Sequence, residues 1–449
     1  MKMSPRLSRS PLEDKVTRIF DRLFAGTAFE LQLPDRPSRI FGDGEPAFQF
    51  LVRNQAGLTA LGSLSEKRIG EAYLAGDIDL NGDVVAALDL RTTLRNQRRL
   101  ADLLTTYGLG YLWATYVQPR LFGQVKCDEQ WISQHYDLES DFYLLFLDKQ
   151  AHCYSHGYFS SDDEPLEAAI QRKLDTAIAA CGMRPGWRVL DIGAGWGAFT
   201  EHAGRQGIQV TSLTISAESE RYVRDLIARE QLPCRVLLEH FLEHATDEPY
   251  DAIVNLGVTE HLPNYQATLA QYQRLLKPGG RVFLDACASR RKYPFTSFVR
   301  SYIWPGNTTP MHLASYLKEV GKTPFEVLYL HNDRHNYLLT TRHWAQNLDR
   351  CRDEVVNRWG EHVYRRFRIY LWGCVHYFGT GTITAYRLLL QLPDQSSRRR
   401  FEARSIPDTD VGTPRAEHSL SPGRDAILGA VVGNRATTRS IRRPGSPSR

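Results

Sequence analysis

Residues 189–199 read Val189-Leu190-Asp191-Ile192-Gly193-Ala194-Gly195-Trp196-Gly197-Ala198-Phe199. Val189 and Leu190 end an apolar strand, three glycines follow at alternate positions, and an amphipathic stretch opens near Ala198. Strand, glycine turn and helix let a backbone approach a nucleotide-like ligand closely, because glycine tolerates the left-handed conformations such a turn needs. The spacing is G-x-G-x-G, not the G-x-G-x-x-G of dinucleotide folds, and Asp191 stands two residues before Gly193. A carboxylate there repels a pyrophosphate and attracts a sulfonium or an ammonium. The pattern therefore favours S-adenosylmethionine (SAM) over NAD; a glycine-rich turn of an ordinary α/β protein is the alternative.

Working outward, residues 166–285 alternate between helical and strand-like patterns. Strands are expected at 188–192, 209–214, 234–238, 252–256 and 281–285, which predicts a doubly wound parallel sheet with its ligand site at the carboxyl ends. Lys277-Pro278-Gly279-Gly280 is expected to be a turn between a helix and the last of these strands. Thr214-Ile215-Ser216 closes the second strand, where Thr214 and Ser219 are candidates for ribose hydroxyls. Gly257-Val258-Thr259-Glu260-His261-Leu262 closes the fourth, and an adjacent Glu and His there can act as base, acceptor or electrostatic stabiliser. Alternatively, Thr259 caps a helix and Glu260 sits in its first turn. Asp285, followed by Ala286 and Cys287, ends the fifth strand and points into the same crevice.

The remainder bounds the class. A chain of 449 residues with 42% hydrophobic content holds two or three domains. Residues 1–120 read as a smaller mixed α+β domain, with strand-like segments at 28–32 and 48–52 and helical ones at 65–75 and 84–104. Residues 121–392 are the catalytic domain, entered through an aromatic-rich connector at 126–148. Residues 393–449 carry eleven arginines and six acidic residues, the whole of the formal net charge of +5, in a Ser-, Pro- and Gly-rich tail expected to be disordered. The first fifteen residues lack an apolar core of the kind a secretory signal needs. No apolar run reaches the ~18 residues of a membrane span, the nearest, 370–390, being broken by His376, glycines and Arg387. Seven scattered cysteines without a C-x-x-C pair point to a reduced cytosolic chain without structural zinc. No folded basic face suggests nucleic acid.

At this point a family resemblance emerges. The pieces are His135-Tyr136-Asp137-Leu138, Asp141-Phe142-Tyr143, Phe146-Leu147-Asp148 and Cys153-Tyr154-Ser155-His156-Gly157-Tyr158-Phe159. Lys173-Leu174-Asp175, the glycine turn, Thr214-Ile215-Ser216-Ala217-Glu218, Glu260-His261, Tyr302-Ile303-Trp304-Pro305-Gly306 and Tyr337 to Trp344 follow. In this order they resemble the cyclopropane-fatty-acyl-phospholipid synthases, including the mycolic acid cyclopropane synthases, over about residues 20–390.

The resemblance implies transfer of a methyl group from SAM to the double bond of an unsaturated acyl chain. It implies a cofactor site containing Tyr154, Ser155, Asp191, Gly193, Gly195, Thr214, Ile215, Ser219 and Phe241, and an N-terminal domain that engages phospholipid. The expected partners are unsaturated phospholipid acyl chains and a second copy of the chain, with peripheral contact at the inner face of the membrane. Residues 107–122 are a candidate contact surface, domain packing being the alternative. Aromatic faces, drawn from Tyr136, Phe142, Tyr143, Tyr158, Trp304 and Tyr337, would stabilise a carbocation. The resemblance also implies a bicarbonate base held by a cysteine, a glutamate, a histidine and a tyrosine. Glu260 and Tyr337 match, but His156 stands for the cysteine and Asp285 for the histidine. Two carboxylates and a bicarbonate repel one another in a dry pocket, so the expectation is that bicarbonate is absent. Asp285, or Glu260 with His156, then removes the proton. A relocated base would give a methyl- or methylene-branched chain in place of a ring, or mean another hydrophobic acceptor.

Overall fold

The structure, a computed structural model, describes residues 10–23, 28–95, 140–291, 297–304 and 308–394. The candidate contact segment 107–122, Tyr136, Pro305, Gly306 and nearly all of the basic tail lie outside these.

The larger sheet has seven strands: β5 (Arg188–Ile192), β6 (Gln209–Thr214), β7 (Arg235–Leu238), β8 (Tyr250–Leu256), β9 (Leu276–Ala288), β10 (Glu326–Asn332) and β11 (Thr384–Gln391). Their order across the sheet is β10-β11-β9-β8-β5-β6-β7. From β9 to β7 every pairing is parallel. The two strands beyond β9 run antiparallel, β11 against β9 and β10 against β11. The wholly parallel reading of the sequence thus covers five strands of seven. The other two escape it because β11 directly follows a helix within the apolar run 370–390. Lys277 to Gly280 does not separate a helix from a strand: it is an excursion inside β9, where the register with β8 jumps from Tyr250↔Leu276 to Ala252↔Arg281.

Buried side chains cover both faces of this sheet. Val189, Val210, Val254 and Phe283 join one cluster, and Leu190, Ile192, Leu213, Ile253 and Leu284 join the other. A helix at Leu166–Cys181, α1, packs on the first face. Its apolar stripe contains Leu166, Ile170, Leu174, Ala177 and Cys181, and Gly182 stops it in a left-handed turn at φ 68°. One charge interrupts that stripe: Lys173 is fully buried. The described end of the aromatic connector, from residue 140, also proves to be core. Phe142, Tyr143 and Phe146, on a helix at Ser140–Phe146, are wholly inaccessible.

The smaller sheet is built from β1 (Phe29–Gln32), β2 (Arg39–Phe41), β3 (Phe48–Val52) and β4 (Ile78–Gly82), in the order β2-β1-β3-β4, with its own aromatic core. It belongs to the same compact unit as the larger one. Arg365, on the helix Glu361–Gly379 (α2), joins the two: it lies 2.5 Å from Asp79 and donates to the carbonyls of Tyr73 and Ile78. Among the described residues no helix is long and apolar enough to cross a membrane.

Candidate active site

The glycine turn follows β5, the middle one of the five parallel strands. Gly193 has φ 83°, and a Cβ there would stand 2.4 Å from Val258 Cγ2. Gly197 has φ 84°, and a Cβ there would stand 2.5 Å from Leu226 Cδ2. Both positions therefore need glycine, for conformation and for space. At Gly195, φ 52°, the nearest atom to a Cβ is 4.0 Å away, so this glycine leaves open the face a ligand approaches. The amides of Gly193 and Ala194 both donate to the Leu213 carbonyl, tying the turn to β6.

Asp191 is buried and accepts from Ser212 Oγ at 3.0 Å. Burial pushes its carboxyl up to about 7, against the Ser212 hydrogen bond and the nearby Lys173 ammonium. Ser219 donates from Oγ to the Gly195 carbonyl at 2.7 Å, while Thr214 Oγ1 accepts from the Ser216 amide at 3.2 Å. Ser155 lies against Gly257, 3.1 Å from a Cβ placed there. Phe241 is buried with its ring centroid 5.3 Å from that of Tyr272, Ile215 is half-buried at the end of β6, and Tyr154 packs on Tyr143 and Trp344. An acidic carboxylate, glycine amides and hydroxyls around one crevice fit the cationic and ribose groups of SAM.

Deeper in, the ends of β8 and β9 bring the second set together. Glu260 accepts from the Cys287 amide at 2.5 Å through Oε1, and Oε2 has no hydrogen-bond partner among the described residues. Burial, with Asp285 adding to it, pushes Glu260 up to about 8, so it is an acid at neutral pH. His261 turns away: it meets Thr308 at 3.2 Å and the Trp304 ring at 5.4 Å, and burial pushes it down to about 4. The adjacent Glu and His do not act as a pair.

Asp285 is fully buried, and Lys173 Nζ stands 3.0 Å from its Oδ2. The Tyr158 hydroxyl donates to the same oxygen at 3.4 Å, and Oδ1 has no hydrogen-bond partner among the described residues. Burial alone lowers the Lys173 ammonium, but Asp285 and Cys153 outweigh it and the net shift is upward. Lys173 also donates to Ser155 Oγ at 2.5 Å, linking the two halves of the crevice. The second negative charge expected of Asp285 beside Glu260 is therefore compensated by Lys173.

His156, equally buried, has Nε2 3.5 Å from Asp333 Oδ2, and neither ring nitrogen has a hydrogen-bond partner among the described residues. Its ring stacks on Tyr337 at 4.6 Å, and Tyr337 stacks on Phe378 at 4.4 Å. Burial raises Asp333, but His156, His331 and Arg387 outweigh it and hold the carboxyl well below the usual range. Arg387 lies 3.3 Å from Asp333 and covers the Tyr158 ring at 4.0 Å. Tyr158, Phe142 and Tyr143 are thus engaged in the core, leaving Trp304 and Tyr337 as the half-buried aromatics of those named.

Lys173, Asp333 and Arg387 received no role from the sequence. Two of them left a signal: Lys173 sits inside the apolar stripe of α1, and Arg387 inside the apolar run 385–390. Asp333, polar and next to a helix start, reads as an ordinary cap.

This crevice at the carboxyl ends of the parallel strands is that of a SAM-dependent methyltransferase. Residues 124–388 match the family described as Mycolic acid cyclopropane synthetase, and the chain belongs to that family. It is 28% identical over 363 residues to a probable fatty acid methyltransferase of Pseudomonas putida, covering 78% of this chain and 88% of that one. A sphingolipid C9-methyltransferase of Komagataella phaffii is 27% identical over 341 residues, 72% of this chain and 68% of that one. Mycolic acid cyclopropane synthase CmaA1, solved in complex with SAH and CTAB, superposes with a TM-score of 0.54 at 29% identity. That likeness covers 59% of this chain and 98% of the other.

Proposed function

We propose that this methyltransferase alkylates the double bond of an unsaturated acyl chain, carried by a phospholipid. The observation that supports it is the set of buried Asp285, Glu260 and His156 with half-buried Tyr337, tied to the cofactor side through Lys173 and Ser155. Bound SAM supplies an electrophilic methyl carbon, which the alkene π pair attacks while the carbon–sulfur pair stays on sulfur. A poor nucleophile such as an alkene needs close, in-line placement and a dry pocket. Gly193, Gly195, Ser155 and Asp191 place the cofactor, and Trp304 offers an aromatic face to the cation. Ring closure requires one proton to leave the transferred methyl, its C–H pair forming the third ring bond. Asp285 is our choice of base because Oδ1 has no hydrogen-bond partner among the described residues and Glu260 is already protonated at neutral pH. These residues do not fit a bicarbonate ion. Asp285 offers only acceptor oxygens, and the Lys173 ammonium that could hold an anion is committed to Asp285 and Ser155.

The second reading, a methyl- or methylene-branched product, is favoured by the P. putida and K. phaffii relatives. Each matches more of this chain than the CmaA1 likeness does, and both carry methyltransferase names. We assign lipid engagement at the inner membrane face to residues 1–120, and a homodimer is part of this reading. Expression in cells lacking a cyclopropane synthase, fed methionine with a deuterated methyl, tests the proposal by mass spectrometry of phospholipid acyl chains. One added carbon with two deuteriums means that the proton left the new methyl. Three deuteriums mean transfer without closure, and unlabelled lipid sinks the phospholipid acceptor.

A further inference from the structure

We propose that Lys173 is a positioning residue that makes an internal carboxylate do the work of an exchangeable anion: its ammonium holds Asp285 by Oδ2 and leaves Oδ1 aimed at the proton to be removed. The inference rests on the alkylation reading above.

The geometry carries it. Both side chains are wholly inaccessible, and the separation of 3.0 Å is that of a charge-assisted hydrogen bond. The Tyr158 hydroxyl grips the same oxygen, so both donors converge on one side of the carboxylate. Arg387 is the cross-strand neighbour of Asp285, but its guanidinium lies against Asp333 and the Tyr158 ring. Lys173 is therefore the cation that compensates Asp285. Through its bond to Ser155 it also fixes the carboxylate relative to the cofactor end.

Charge balances through the step. One positive charge enters with the sulfonium, passes to the acyl carbon when the carbon–carbon bond forms, and ends as the proton on Oδ1. A carboxylate without Lys173 would lie buried and uncompensated, and a Lys173 without Asp285 would be an empty anion site. The second case can be tested by chemical rescue.

The experiment compares Asp285→Ala with the double variant Lys173→Met/Asp285→Ala, each with and without formate, a carboxylate small enough to replace the lost one. In Asp285→Ala, turnover is expected to fall by about 100-fold or more, the usual scale for a lost base. Formate should then restore at least part of it and raise the melting temperature. Neither response should occur in the double variant, which has no cation to hold the anion. A folded Asp285→Ala that binds SAM overturns the proposal if it keeps its turnover, or if it ignores formate in both readouts. Equal formate responses in the two variants overturn it as well. If Asp285→Ala does not fold, Asp285→Asn keeps the shape, and lost turnover with unchanged SAM affinity supports the proposal while retained turnover overturns it. The melting readout needs no acceptor lipid, and wild-type turnover is measured alongside. A wild type that fails to alkylate therefore indicts the reading of function and not the role of Lys173.

Discussion

The two ends of the crevice are built from different material. The cofactor end is mostly backbone: glycines at positive φ, amides tied to a neighbouring strand, and one hydroxyl bracing the turn. The proton end is mostly side-chain charge, with Lys173, Asp285, Asp333 and Arg387 all buried. A backbone device tolerates variation in its side chains but none in its glycines. A network of buried charges tolerates paired changes and punishes single ones. The two ends should therefore fail differently, and variants can show it.

The largest effect is expected at the proton end. Lys173→Met leaves Asp285 buried without its countercharge, and breaking such a pair costs about 3–5 kcal/mol. Lys173→Met/Asp285→Leu removes both charges and should recover most of that stability while remaining inactive. Urea unfolding of the two variants measures this, and a double variant no better than the single one breaks the comparison.

Next is the turn itself. Gly193→Ala forces a side chain into φ 83° and places its Cβ 2.4 Å from a Val258 methyl. The left-handed conformation alone costs roughly 1–2 kcal/mol, and the displaced turn should weaken SAM binding by more than about tenfold, or 1.4 kcal/mol. No second substitution at the proton end should restore it. Titration calorimetry with SAM gives the answer, and an unchanged affinity would mean the turn does not touch the ligand.

These two cases also show what was legible in the sequence. The turn, the five parallel strands and the position of Glu260 lie in contiguous stretches, where local spacing carries the information. The pairing of Lys173 with Asp285 joins residues 112 positions apart, and Asp333 meets His156 across 177. No local pattern encodes such pairings. Asp285 consequently reads as an unpaired charge until the fold supplies its ammonium. Similarly, β10 and β11 are hidden because β11 pairs with β9 across whole helices and β10 pairs only with β11.

A smaller effect concerns pH. Glu260 is raised from its ordinary 4.5 to about 8 by burial, so it favours the folded state while protonated. That contribution is complete below about pH 4.5 and is lost as pH rises through about 8, each tenfold difference in proton affinity between the folded and unfolded chain being worth about 1.4 kcal/mol. Asp191, raised to about 7, acts in the same direction over a lower window. The melting temperature of the free protein should fall from pH 6 to pH 9. Glu260→Gln should flatten the upper part of that fall and leave the part due to Asp191. Identical slopes in the variant and the wild type would remove Glu260 from the account.

The smallest effect separates scaffold from ligand contact at the cofactor end. Ser219 is a candidate for the ribose by sequence, yet its hydroxyl donates to the Gly195 carbonyl at 2.7 Å and its side chain is buried. A hydroxyl spent on the turn stabilises the protein whether or not SAM is present. Ser219→Ala should therefore lower the stability of the ligand-free protein by about 0.5–1.5 kcal/mol, the net worth of one hydrogen bond. SAM affinity should drop only as far as the loosened turn allows. A hydroxyl that served the ribose instead would leave the ligand-free melting temperature unchanged and put the whole loss into binding. Melting curves with and without SAM distinguish the two, because a scaffold defect displaces both curves and a contact defect displaces only the second.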